Sequence, residues 1–172
     1  YLDTAETYAA GATERVLGEA LARLARPRES YVISAKVYWG VHDRRPNTWG
    51  LSRKHVVEGC HASLRRLRLN HLDLLLCHRH YPDTPLAETV RAMSDLVTRR
   101  DVLYWGTSEW PVEQVLAAQQ IADQHGFVGP SVEQLQYSVL VPDRVDVDYA
   151  AVARATGLGI TAWSPLAHSE YG

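Results

Sequence analysis

The sequence lacks most of what would mark a secreted, membrane-bound or nucleic-acid-binding protein. It holds only two cysteines, Cys60 and Cys77, among 172 residues. That is too few for a disulfide framework and suits a reducing, cytoplasmic setting. No apolar run approaches the roughly 18 residues of a membrane span, and no basic-then-apolar leader opens the chain. Charge of one sign is also scarce. A net charge of -2 and a pI of about 6.5 offer no basic field to a nucleic acid or an anionic membrane. There is no G-x-G-x-x-G after a strand, no C-x-x-C and no H-E-x-x-H. Low-complexity segments, linkers and short repeats are absent. What is present is 46% hydrophobic and 22% charged residues, an ordinary globular balance. A chain of this length buries roughly 70% of its unfolded surface. The expectation is one soluble domain over residues 1–172, with neither nucleic acid nor membrane as partner.

Strand-like runs lie at 31–37 (YVISAKV), 72–77 (LDLLLC), 102–105, 132–136 and 160–163, and Tyr1-Leu2 reads as the tail of another. These runs are continuous rather than alternating, as in strands covered on both faces of a parallel sheet. Helical spacing fills the intervals. Thr13 is the expected N-cap of a first helix through Leu17, Leu21 and Leu24, which Pro27 ends. Ser52 caps a second, with Val56, Cys60, Leu64 and Leu67 on its apolar face. Thr84-Pro85 and Pro111 open a third and a fourth, and Gly126 stops the latter. Asp146 or Asp148 opens a short fifth, stopped by Gly157. Strict β-α alternation leaves a doubly wound sheet or a (β/α) barrel.

Polar residues fall at the C-terminal ends of these strands. Asp3 and Tyr8 follow the first, Lys36 and His78 end the second and third, and Ser108 and Gln134 belong to the next two. In a barrel all such ends converge on one mouth. A lysine in an apolar strand needs a carboxylate, and Asp3 is the candidate. Singly, each residue has a plainer reading: a salt-bridged lysine, a capping aspartate, a half-buried tyrosine, a core histidine. Together, Asp, Tyr, Lys and His make a proton-transfer set, because an ammonium beside a phenol favours the phenolate.

The segments YLDTAETYAAG, ISAKVYWG, GLSRKHVVEG, DLLLCHRHYPDTPLAETVRAMSDLV, YWGTSEW and TAWSPLA resemble the aldo-keto reductases. Within that family they most resemble the branch that includes voltage-gated potassium channel β-subunits and their bacterial relatives. The resemblance implies a TIM-type (β/α)8 barrel that reduces aldehydes or ketones with NADPH. It places the catalytic tetrad on Asp3, Tyr8, Lys36 and His78. Tyr8 would donate the proton, Lys36 held by Asp3 would tune it, and His78 would orient the carbonyl. It also implies that Trp163 stacks on the nicotinamide, that Ser108 and Gln134 bind the carboxamide, and that Ser164 and Leu166 lie along the cofactor's path. The mammalian channel subunits carry asparagine where this chain has His78, so this chain is closer to the competent reductases.

Against the family pattern, the chain opens at Tyr1 without a methionine and is roughly half a barrel's length. It reads as truncated at both ends, with about six of eight strands present. The tail His168-Ser169-Glu170-Tyr171-Gly172 departs from the family's glycine-containing loop. Weakened cofactor binding is expected, and a non-catalytic barrel remnant or interaction subunit is the alternative. Open strand edges predict a homo-oligomer, most simply a two-fold dimer through the first and last strands. A metal-dependent hydrolase built on Cys77, His78 and His80, or on Cys60-His61, is a further rival. It leaves Asp3, Tyr8 and Lys36 unexplained, and no metal is expected, since Lys36 beside His78 would repel a divalent cation.

Overall fold

The computed structural model describes residues 1–42 and 45–166. Among them, strands and helices alternate throughout. The strands are β1 (Leu2–Asp3), β2 (Ile33–Val37), β3 (Leu72–Cys77), β4 (Val102–Ser108), β5 (Val132–Gln136) and β6 (Gly159–Trp163). The helices are α1 (Ala12–Leu24), α2 (Arg53–Leu67), α3 (Leu86–Thr98), α4 (Val112–His125) and α5 (Ala150–Thr156). Every strand pairs in parallel with its predecessor, giving the order β1-β2-β3-β4-β5-β6. A doubly wound sheet reverses its strand order at a switch point. This one never does, so the architecture is an incomplete (β/α)8 barrel.

Each strand's period of two sorts its residues between the two faces of the sheet. Ile33, Ala35 and Val37 of β2 and Leu75 and Cys77 of β3 join the large apolar cluster with Val56, Cys60, Val90, Met93 and Leu96 of the helices. Leu74, Leu76 and Val132 form a small second cluster on the other, inner face. Lys36 pairs in register with Leu76, and Ser108 with Gln134, so these polar residues lie on the inner face near its C-terminal rim. Gly106 lets β4 and β5 meet there, since a Cβ at this position would stand 2.1 Å from the Val132 carbonyl oxygen.

The elements differ from the sequence expectation mainly at their ends. Helix α1 starts behind Gly11, whose φ of 79° turns the chain, rather than behind Thr13. It ends at Ala25 in the left-handed region, two residues before Pro27. Pro85, not Thr84, occupies the cap position of α3. Ser52 caps α2 as expected, its hydroxyl accepting from the His55 N–H at 3.3 Å. β4 runs on to Ser108, because Gly106, Thr107 and Ser108 pair with Val132, Glu133 and Gln134. The segment with Asp146 and Asp148 coils first as a wide π-turn, Arg144–Tyr149, before α5 begins. No described helix is long and apolar enough to cross a membrane. The tail from His168 to Gly172 lies outside the described residues.

Candidate active site

Lys36 is the pivot of the site. Its side chain runs from β2 along the inner face and is 1% exposed. Its Nζ donates to Asp3 Oδ2 at 2.5 Å, to the Thr4 carbonyl at 2.9 Å and to Tyr8 Oη at 3.3 Å. Those three bonds use all the donors of an ammonium. The other Asp3 oxygen accepts from the Ser34 hydroxyl, so the carboxylate is anchored to the same strand. The sequence reason for this proximity lies in Tyr8–Gly11, where Ala9 and Ala10 take φ values of 47° and 51°. This tight left-handed turn brings the Tyr8 ring centroid to 5.0 Å from Lys36 Nζ.

His78 stands beside Tyr8, the ring centroids 5.9 Å apart and edge to face. Trp39 also packs edge to face on it, with the ring centroids 4.6 Å apart. Burial, then the charges of Lys36 and Arg79, push the His78 imidazolium down to a pKa of about 3. The ring is therefore neutral near pH 7. Its Nδ1 is buried without a hydrogen-bond partner. Around these groups lies a cleft of about 210 Å³, walled by Thr7, Tyr8, Trp39, His78, Arg79, Ser108, Gln134 and Trp163. Tyr8 is 38% exposed, so the phenol reaches solvent while the lysine behind it does not.

Seven of the nine residues singled out from the sequence meet here. Tyr8, His78, Ser108, Gln134 and Trp163 line the cleft, and Asp3 and Lys36 lie directly behind Tyr8. Ser164 follows Trp163 with a φ of 49°, and Leu166 is 89% exposed; neither lines the cleft. The groups named for a metal site scatter. Cys77 faces the helices, His80 packs on Trp110 at 5.0 Å, and His61 pairs with Asp101 at 3.1 Å. Among the described residues no three His, Cys, Asp or Glu side chains gather around one point. Larger hollows lie elsewhere: open grooves of about 550 and 600 Å³ beside α2, one of about 600 Å³ beside Glu109 and Arg144, and one of about 320 Å³ between α2 and α3. The lysine, phenol and imidazole converge in none of these.

Three glutamates that the sequence reading passed over brace this mouth. Glu6, buried between Asp3 and Tyr8, accepts from Tyr38 N–H at 2.7 Å and Gly40 N–H at 2.8 Å, with His55 Nε2 at 3.1 Å. It thereby ties the loop that carries Trp39. Glu133 on β5 accepts from the Thr107 hydroxyl and from Trp110 N–H at 3.1 Å. Its burial, only partly offset by those bonds, raises its pKa to about 7. Glu109 holds Trp163 and Arg144, each at 2.9 Å. The signal available in sequence was a carboxylate within or shortly after a strand, without any indication of its partners.

The sequence model of the aldo/keto reductase family matches residues 1–171. The chain belongs to that family. This aldo/keto reductase chain is 44% identical over 167 residues to a probable voltage-gated potassium channel subunit beta of Arabidopsis thaliana, covering 97% of the chain and 50% of the relative. A protein of the same description from Oryza sativa subsp. japonica is 42% identical over the same shares. A putative voltage-gated potassium channel subunit beta of Schizosaccharomyces pombe is 42% identical over 164 residues, 95% of the chain and 48% of the relative. The aldo/keto reductase chain thus spans about half the length of the curated relatives it matches.

Proposed function

We propose that this chain carries the proton-transfer machinery of an NADPH-dependent reductase of aldehydes or ketones. The single observation behind the proposal is the buried Lys36 ammonium, joined on one side to Asp3 and on the other to a Tyr8 phenol that opens onto a cleft. A small carbonyl compound in that cleft would accept a hydrogen bond from Tyr8 Oη. Neutral His78, with one ring nitrogen protonated, would hold the carbonyl oxygen from the other side. NADPH, when bound, supplies the hydride that the carbonyl carbon takes up. The Tyr8 proton passes to the carbonyl oxygen, the product is the alcohol, and the Lys36 ammonium stabilises the phenolate left behind.

The donor set suits such a cofactor. Ser108 and Gln134 are paired, buried polar residues on the cleft wall, a hydroxyl and an amide for a carboxamide, and Trp163 offers a ring face beside them. A cleft of about 210 Å³ is smaller than the usual 300–1,000 Å³ ligand pocket. It takes a reacting head group rather than a whole dinucleotide, in keeping with weakened affinity. Ser164 and Leu166 belong to this reading only as flanking chain after Trp163.

The relatives' names support a second reading, a subunit that associates with a potassium channel. The outer edges of β1 and β6, which have no partner strand among the described residues, support pairing with a second copy. Light scattering at micromolar concentration is expected to show a homo-oligomer, and a concentration-independent monomer contradicts that. Both cysteines are buried free thiols, which favours a reducing compartment such as the cytoplasm. NADPH binding is tested by titration, with saturable quenching of tryptophan fluorescence expected from a ring stacked on Trp163. No saturation at millimolar NADPH would favour the subunit reading without catalysis.

A further inference from the structure

Glu109 has an unusual position. It directly follows Ser108 at the end of β4, and its φ of 56° lies in the left-handed region that side chains other than glycine seldom adopt. That backbone geometry accompanies a turn of the carboxylate across the neighbouring strand ends. One oxygen accepts from the Gln136 N–H at 2.5 Å, at the end of β5, and from the Trp163 indole N–H at 2.9 Å, at the end of β6. The other oxygen accepts from Arg144 at 2.9 Å, on the turn before α5. Arg144 also donates to the Trp110 carbonyl at 2.9 Å, so the guanidinium is itself held to the loop after β4. The Glu109 side chain is 16% exposed and the Arg144 side chain 35%, so the carboxylate is half-buried while its counter-ion reaches water.

One carboxylate therefore gathers β4, β5, β6 and the turn before α5. A ring that must meet a planar partner loses affinity if it rotates freely, because the ordering cost then falls on the binding step. We infer that Glu109 is a positioning residue that fixes the Trp163 ring in the cleft through its indole N–H, with Arg144 as counter-ion. The inference deepens the cofactor reading above and rests on it for its use in binding. The fixed ring itself is a property of the free protein.

The test separates those two levels. In ¹⁵N-labelled free protein, Trp163→Phe identifies the Trp163 indole resonance among the five tryptophans of the chain. Glu109→Ala is expected to move that resonance upfield and speed its solvent exchange about tenfold, the scale of one lost charge-assisted hydrogen bond. The other four indoles are expected to stay in place. Glu109→Gln, which keeps an acceptor oxygen, is expected to restore the resonance most of the way, and Glu109→Leu, which keeps bulk without an acceptor, serves if the alanine variant fails to fold. An unmoved Trp163 resonance in folded Glu109→Ala or Glu109→Leu overturns the inference.

NADPH affinity then supplies a double-mutant cycle. Glu109→Ala is expected to raise the Kd about tenfold in the natural background and less than twofold in Trp163→Phe. Equal losses in both backgrounds would overturn the route through the indole. If the natural chain binds no NADPH, the cofactor reading fails while the indole resonance still decides the role of Glu109.

Discussion

The two sides of the mouth solve the same physical problem differently. At the β1–β2–β3 side the Lys36 ammonium reaches along the inner face, Glu6 braces the loop after β2, and every residue of β2 is buried. At the β4–β5–β6 side the carboxylates of Glu133 and Glu109 brace loops around the strand ends, and β6 has no buried residue. On each side one cation–carboxylate pair stands closest to the cleft. Lys36–Asp3 spans 2.5 Å with the lysine side chain 1% exposed, whereas Arg144–Glu109 spans 2.9 Å with the arginine 35% exposed. A pair of the first kind is costly to break, and it holds a charge beside the Tyr8 phenol. The second kind is screened by water, and its use is to hold a ring and a loop in place. The cation is thus dry on the Lys36 side and wet on the Trp163 side, whereas the carboxylates differ less, Asp3 being 27% and Glu109 16% exposed.

Breaking the pair on the dry side is expected to have the largest effect. Asp3→Asn leaves the Lys36 ammonium buried without its anion, and should cost about 3–5 kcal/mol of stability. Urea unfolding checks this, and a loss below about 1 kcal/mol would show that water reaches Lys36.

The next effect is a pH dependence that separates the sides by sign. Glu133 has its pKa raised from 4.5 to about 7, so the fold binds its proton more tightly than the unfolded chain does. Its contribution is fully present below pH 4.5 and lost as pH rises through about 7, about 3 kcal/mol in all. Glu133→Gln should remove that falling limb. His78 acts in the opposite direction. Its pKa is lowered from 6.5 to about 3, so its contribution is present above pH 6.5 and fades as pH falls toward 3. Between pH 4.5 and 6.5 the two partly cancel in the natural chain. Denaturant midpoints between pH 4 and 8 should therefore fall more steeply on the acid side in Glu133→Gln than in the natural protein.

The smallest effect belongs to the wet pair. Glu109→Gln should cost only about 1 kcal/mol, because Arg144 keeps access to water and to the Trp110 carbonyl. A cost equal to that of Asp3→Asn, measured under the same conditions, would erase the contrast between the two sides.

Much of this arrangement was legible in the sequence, and the rest was hidden for identifiable reasons. The runs LDLLLC and VEQLQ matched β3 and β5 residue for residue, because continuous apolar or tightly paired stretches leave little choice of boundary. The end of β4 was missed because Gly106 reads as a breaker until one sees how closely Val132 approaches it. Thr13 was a reasonable cap, but Gly11, two residues earlier, already turns the chain. Asp3, Tyr8, Lys36 and His78 stood out as polar residues at apolar strand ends, and they do gather at one point. Glu6, Glu109 and Glu133 did not stand out, since most of their partners are backbone N–H groups and distant side chains. Trp163 is 54 residues from Glu109 and Trp110 is 23 from Glu133. No local pattern encodes such pairings.

The central claim is that the Tyr8 phenol, backed by Lys36, delivers the proton in carbonyl reduction. The most direct test follows NADPH oxidation with a small aldehyde in the natural chain and in Tyr8→Phe, with circular dichroism and urea midpoints showing both folded. The account predicts measurable turnover that falls about 10²–10⁴-fold in Tyr8→Phe, the range for loss of a general acid. Turnover undiminished in folded Tyr8→Phe would contradict it.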